Sequence, residues 1–368
     1  MKKTAFLTVK KYILFNLVLF IILTRQDGLN SYVKIENNFS TISIESIYDG
    51  YKGISSQNAL FISYQNRKFI ALVTRSIDCG KLIILNISDI DSYSIFYSKD
   101  LKDVEGAWAL HFFNDTLFIG TYRRGKLLAF YFNTKILKEL ADVGRSAYIW
   151  EIDHDTKNIY FGIYPGGIVY EYNILKSKLF KLISLKNREH VRTIRSYKEF
   201  LLIGAGSPAE LFLYNKKSKK LYSILPKIFK SDSFVYSVKL SNGKIYCLLN
   251  PSDTVLIFSS TNFKLKNKLD FNNIPLKAIS PKDQLINFPD NSVLYLINRN
   301  KLFRNNIKTN PSLLQYFDKQ NDRFISLSKD GYLIYYDIKK KFRKEFYLVN
   351  KIENLKNLRL NGLYYGPD

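Results

Sequence analysis

Between Trp108 and Tyr214 the chain repeats one arrangement of apolar and polar positions three times: an apolar run, a short polar turn, a second apolar run with a central glycine, a loop, and a third run ending in an aromatic residue. Leu117-Phe118-Ile119-Gly120, Ile159-Tyr160-Phe161-Gly162 and Leu201-Leu202-Ile203-Gly204 hold the same register, with their glycines 42 residues apart. The runs are short and rich in β-branched and aromatic side chains, which predicts strands. Asn114-Asp115, Asp155-Thr156-Lys157-Asn158 and Ser241-Asn242-Gly243-Lys244 supply hairpin turns, because Asx side chains bond the local backbone. A fixed period of about 40 to 45 residues in a chain of short strands predicts an all-β fold, a β-propeller of four-stranded blades.

Extending the register predicts seven blades over residues 56–368, opening near residues 56, 107, 149, 191, 235, 276 and 314. In the fifth unit Cys247 is expected where the others carry the central glycine, and the degenerate sixth keeps Val293–Ile297 as its third strand. Residues 358–368 read as the first strand and turn of another unit, either closing the ring or opening a truncated eighth blade. Residues 29–55 alternate weakly and form lead-in strands. Residues 1–28 read as a signal peptide or N-terminal anchor: Lys2, Lys3, Lys10 and Lys11 precede a twelve-residue apolar run, Tyr12–Leu23. A bilayer span needs about 20 such residues, so the segment predicts export, to a secreted or cell-surface location, with membrane contact only through this segment if it is uncleaved.

Ile149-Trp150-Glu151, Gly162-Ile163-Tyr164-Pro165-Gly166-Gly167, His190-Val191-Arg192-Thr193-Ile194 and Gly204-Ala205-Gly206 resemble secreted bacterial β-propeller proteins of the quinoprotein-like repeat superfamily. The likeness runs from about Ser56 onward and is best in units two to four. It implies a propeller of mixed function, since some members of this broad group are polysaccharide lyases and others only bind; the fold does not choose between them. In such relatives Gly-Pro-Asp continues into a further strand, which favours truncation at Gly366-Pro367-Asp368. No quinone role follows, because the carboxylates are scattered and form no run of calcium ligands.

Composition adds a partner. The formal net charge is +24 and the pI is near 9.7, which predicts attraction to an anionic polysaccharide or envelope polymer. The abundance of Ile, Asn and Lys reads partly as codon bias, so part of that charge is without function. No recognition helix, zinc finger or RNA-binding signature accompanies it, which argues against nucleic acid. Cys79 and Cys247, the only two cysteines, fall in different repeats and are expected to stay unpaired. No His, Asp and Cys cluster has ligand spacing, so neither a metal nor a cofactor is expected. Nothing in the chain speaks to its oligomeric state.

In a four-stranded blade, the loop between strands two and three and the link to the next blade share one face. Here that face collects Tyr122, Arg123, Arg124, Arg145, Tyr148, Tyr164, Arg188, His190 and Arg192. Guanidinium groups bind carboxylates bidentately and aromatic rings stack on sugars, which suits an acidic glycan. For the arginines a structural salt bridge is an equal reading. Trp108 and Trp150 share one phase in neighbouring units and read first as packing between blades, second as part of the ligand surface. A non-catalytic binding or scaffold propeller is the leading expectation. The competing one is a lyase with His190 as base, Tyr164 or Tyr122 as proton donor, and Arg192 or Arg123 stabilising an enolate-like intermediate, of which His190, Tyr164 and Arg192 are the leading set.

Overall fold

The computed structural model describes residues 56–75, 79–88 and 93–270, together with the strands between 283 and 347. The targeting segment, the lead-in residues 29–55 and the tail 358–368 lie outside the described residues. So does the expected opening of the sixth unit near residue 276.

Almost every described residue belongs to an antiparallel strand or the turn that joins two. Strands β1–β4 fall between Ser56 and Lys102, β5–β8 between Gly106 and Arg145, β9–β12 between Tyr148 and Ser184, and β13–β16 between His190 and Ser223. They continue as β17–β20 between Phe234 and Asp270, β21–β23 between Asp283 and Asn305, and β24–β27 between Ser312 and Tyr347. Each group forms an antiparallel sheet in simple up-and-down order; a single bridge, Gly206 with Phe234, joins the fourth group to the fifth. Successive four-stranded meanders of this kind are the construction of a β-propeller. The units open at Ser56, Gly106, Tyr148, His190, Phe234 and Ser312, within two residues of the expected positions.

The hairpins between first and second strands form where the polar pairs predict them. Asn114 and Asp115 both take positive φ, as do Asn242 and Gly243, the conformation a two-residue hairpin turn requires. Those turns also set the register, and here one expectation fails. Counting from the turn, Ser237 pairs with Leu248 in the fifth sheet just as Thr193 pairs with Gly204 in the fourth, so Leu248, not Cys247, holds the glycine position. Cys247 lies one residue away, fully buried in the core, and both cysteines are free. In the sixth group Val293–Ile297 is the middle of the three described strands, not the third.

The glycines exist because sheets must pack. A Cβ on Gly120 would stand 2.4 Å from Ile149 Cγ2, and one on Gly162 would stand 2.1 Å from Val191 Cγ1. Each glycine is a seat for the first β-branched side chain of the next sheet. The central strands β6 (Thr116–Tyr122), β10 (Asn158–Tyr164) and β14 (Phe200–Gly206) are accordingly buried on both faces.

First strands meet at the inner edge: β1 (Ser56–Tyr64) touches β5 (Gly106–Phe113), β5 touches β9 (Tyr148–His154), β9 touches β13 (His190–Tyr197), and β13 touches β17 (Phe234–Ser241). Contacts continue from β17 to β21 (Asp283–Asn287), and β24 (Ser312–Asp318) touches β1. An inner edge strand carries unpaired N–H groups, and neighbouring side chains satisfy them. Glu151 accepts from the Ile194 N–H at 3.2 Å, Asp153 from Ser196 at 2.7 Å, and Thr193 from Val238 at 3.2 Å.

Candidate functional site

Four successive first strands, β5, β9, β13 and β17, depart from regular pairing at equivalent places. Ladder partners skip one residue between Ala107 and Ala109, Ile149 and Glu151, Val191 and Thr193, and Val235 and Ser237. The residue skipped is a β-bulge, which re-aims a side chain that alternation would otherwise bury. The residue before it packs onto the preceding sheet; the bulged residue turns to the central cavity. Trp108, Trp150, Arg192 and Tyr236 are those residues, and all four line one cavity of about 600 Å³.

They stack on one another. The indole rings of Trp108 and Trp150 lie 4.9 Å apart at 31°. The Arg192 guanidinium sits 3.8 Å from the centre of the Trp150 ring and 4.8 Å from that of Tyr236. Among the described residues Arg192 forms no ion pair, and Trp150 Nε1 is buried without a hydrogen-bond partner. The two tryptophans thus line the cavity, and their contact also packs the second sheet against the third, so the packing reading and the ligand-surface reading fall on the same pair.

Three residues further along the same strands stands a second rung, His111, Asp153, Arg195 and Lys239, with Leu60 of β1 at the same cavity and Glu151 between the rungs. Here the charges are matched. Arg195 pairs with Glu151 and donates to the Ile194 carbonyl at 2.6 Å. The Arg195 charge, followed by burial, lowers the Lys239 ammonium to about 8. Burial lowers His111 to about 4. Burial raises the Asp153 carboxyl, but its hydrogen bond with His154 and the Arg195 charge outweigh this and leave it below the usual range. His111 Nε2 and His154 Nδ1 approach to 2.6 Å.

At the loop end the first rung continues into a belt of rings. Tyr122 stacks on Tyr148 at 5.7 Å and 11°, Tyr148 contacts Tyr164 at 5.6 Å, and Tyr164 lies flat on His190 at 3.9 Å and 12°. Phe234 meets His190 edge-on. Burial, with a smaller contribution from Arg192, lowers His190 to about 4; its Nδ1 is buried and unpartnered. Burial raises the Tyr122 phenol far above its usual range.

The residues expected on this face therefore divide. Trp108, Trp150, Tyr122, Tyr148, Tyr164, His190 and Arg192 form one connected surface. The other arginines stand apart: Arg123 pairs with Glu105 at 3.1 Å, Arg124 with Asp142 at 2.8 Å, and Arg188 with Glu210 at 3.6 Å. Arg145 is exposed at the end of its strand. Tyr236 and the whole second rung were missed, although the repeat carries their trace. Trp108, Trp150 and Arg192 are 42 residues apart, as are His111, Asp153 and Arg195. Ligand spacing along the chain failed to reveal the His111, Asp153 and His154 cluster because the sheets, not local sequence, assemble it.

No family model matches this chain, and no curated protein matches it. Among solved structures it is similar to Sqt1 of Saccharomyces cerevisiae, at 14% identity and a TM-score of 0.45, over 62% of this chain and 66% of that one. That match spans just under two thirds of Sqt1.

Proposed function

We propose that this chain is an exported, seven-bladed β-propeller that binds an anionic glycan or envelope polymer at the ring-lined mouth of its channel, without turning it over. The observation that carries the reading is the first rung, where four successive bulges deliver Trp108, Trp150, Arg192 and Tyr236 to one stacked surface. Indole faces suit the C–H faces of a sugar. Rings on the faces of a guanidinium leave its in-plane N–H donors for a carboxylate or sulfate. Arg192 is the cation so placed and not already paired. The net charge of +24 favours approach of a polyanion and makes binding weaken with salt. Seven strand groups, with β24 of the last touching β1 of the first, support seven blades. Export rests on the basic and apolar start of the sequence, and fractionation tests it.

The lyase reading has one observation in its favour, the meeting of His190, Tyr164 and Arg192 in one corner. It has one against it: an imidazole lowered to about 4 is a weak base for removing a proton at neutral pH.

Both tryptophans of the chain lie in the first rung, so intrinsic fluorescence reports on this surface alone. Titration with oligosaccharides containing uronate should change the emission saturably. Arg192→Ser should weaken binding at least about tenfold, whereas a triple Lys216, Lys217 and Lys219 to Ser variant should keep it. Equal loss in both variants would reduce the affinity to diffuse charge and end the reading. Ultraviolet absorbance from a new double bond, lost in His190→Ala and Tyr164→Phe, would replace it with the lyase.

A further inference from the structure

At the far end of the channel from the ring-lined mouth, three side chains of metal-ligand type converge from two sheets. His111 comes from β5, and Asp153 and His154 close β9. His111 Nε2 lies 2.6 Å from His154 Nδ1 and 3.9 Å from Asp153 Oδ1, and His154 Nδ1 lies 3.6 Å from the same oxygen. A triangle with those sides is acute, and the point equidistant from its corners is about 2.0 Å from each. That is the length of a zinc bond to imidazole nitrogen or carboxylate oxygen, about 2.0–2.2 Å.

We propose that His111, Asp153 and His154 form a binding site for one divalent transition metal ion of the zinc class, tying the second sheet to the third. Two imidazoles and one carboxylate are a borderline donor set, which suits zinc or cobalt better than calcium or magnesium.

The surroundings orient the ligands as metal sites require. Asp153 uses Oδ2 to accept the Ser196 N–H at 2.7 Å, which leaves Oδ1 turned to the two histidines. The His154 ring is held by Phe113, stacked at 3.7 Å and 30°. Arg195, a cation whose charge reaches the cluster, is engaged by Glu151. His111 and Asp153 both line the cavity, so a hydrated ion has a route in and water can complete the coordination. One ion at the equidistant point would satisfy both imidazoles and the carboxylate oxygen at once, at bonding radius from each.

The site shares no residue with the proposed glycan surface, so the two fail independently. The test uses the untagged full chain, stripped with chelator and dialysed. Equilibrium dialysis should find one zinc ion per chain, and cobalt(II) should give the intense visible bands of a low-coordinate site. Zinc should raise the thermal midpoint, and chelator should reverse this, because an ion that binds only the folded state stabilises it. His111→Ala and His154→Gln should each weaken binding at least about tenfold. His190→Asn, which alters the third histidine of the chain, should leave stoichiometry and cobalt spectrum unchanged. If His111→Ala does not fold, His154→Gln at the strand end carries the comparison, with tryptophan emission as the check on folding. Less than one equivalent of zinc, or equal binding by wild type, His154→Gln and His190→Asn, would overturn the site.

Discussion

Arg192 and Arg195 stand three residues apart on one strand and line one cavity, yet they live in different chemistry. Arg195, with its side chain 13% exposed, is paired with Glu151, whose carboxylate also accepts the Ile194 N–H. Arg192 is held between Trp150 and Tyr236 and has no carboxylate partner among the described residues. The difference arises from what neighbouring sheets present at each level. At the bulge they present rings, and one step lower they present acids. A paired cation whose partner also satisfies an edge strand is part of the scaffold; a stacked, unpaired one keeps its hydrogen-bonding edge for a ligand.

The largest effect should come from breaking what both rungs hang on. Gly162→Ala places a Cβ 2.1 Å from Val191 Cγ1, so the fourth sheet must shift along with Arg192 and Arg195. A loss of about 3 kcal/mol is expected from overpacking, measured as a lower urea midpoint together with weaker glycan binding. An unchanged midpoint would mean that the sheets are not packed through that glycine.

Substituting the two arginines sharpens the contrast. Arg195→Met should cost about 2 kcal/mol in urea unfolding. Removing one partner of a buried pair is expensive, and the residual exposure of Glu151 moderates the loss. Adding Glu151→Gln should recover part of it. Arg192→Ser should cost about 1 kcal/mol or less in stability while removing most ligand affinity. If the two substitutions are equally destabilising, the division into scaffold and ligand cation fails.

The last effect is a pH slope. His190 titrates near 6.5 when unfolded and at about 4 when folded, so between those values the unfolded chain binds the proton more readily. Its contribution to stability is complete above pH 6.5 and is lost as pH falls toward 4. Thermal midpoints of the wild type should therefore fall across that window more steeply than those of His190→Phe, which keeps a ring against Tyr164. Parallel slopes would show that His190 is not held neutral by burial.

Strands, turns and unit boundaries were legible along the chain because their causes are local. Apolar runs mark the core, Asn114-Asp115 closes a hairpin by its own φ preference, and a glycine every 42 residues marks where the next sheet presses in. The Cys247 assignment failed for the complementary reason: register is set from the turn through paired backbone, and the hairpin at Asn242-Gly243 puts Leu248, one residue on, at the glycine position. The bulges are invisible to composition, since an extra residue exists only relative to a partner strand. The sequence by itself determined an all-β repeat, its period, and a face rich in rings and arginines. Tertiary structure alone decided which of the two cavity arginines lacks a carboxylate among the described residues, that two tryptophans face a cavity, and that His111 meets Asp153 and His154. Those outcomes depend on sheets packed side by side, which bring together residues some forty positions apart whose local sequence carries no record of the meeting beyond the period itself.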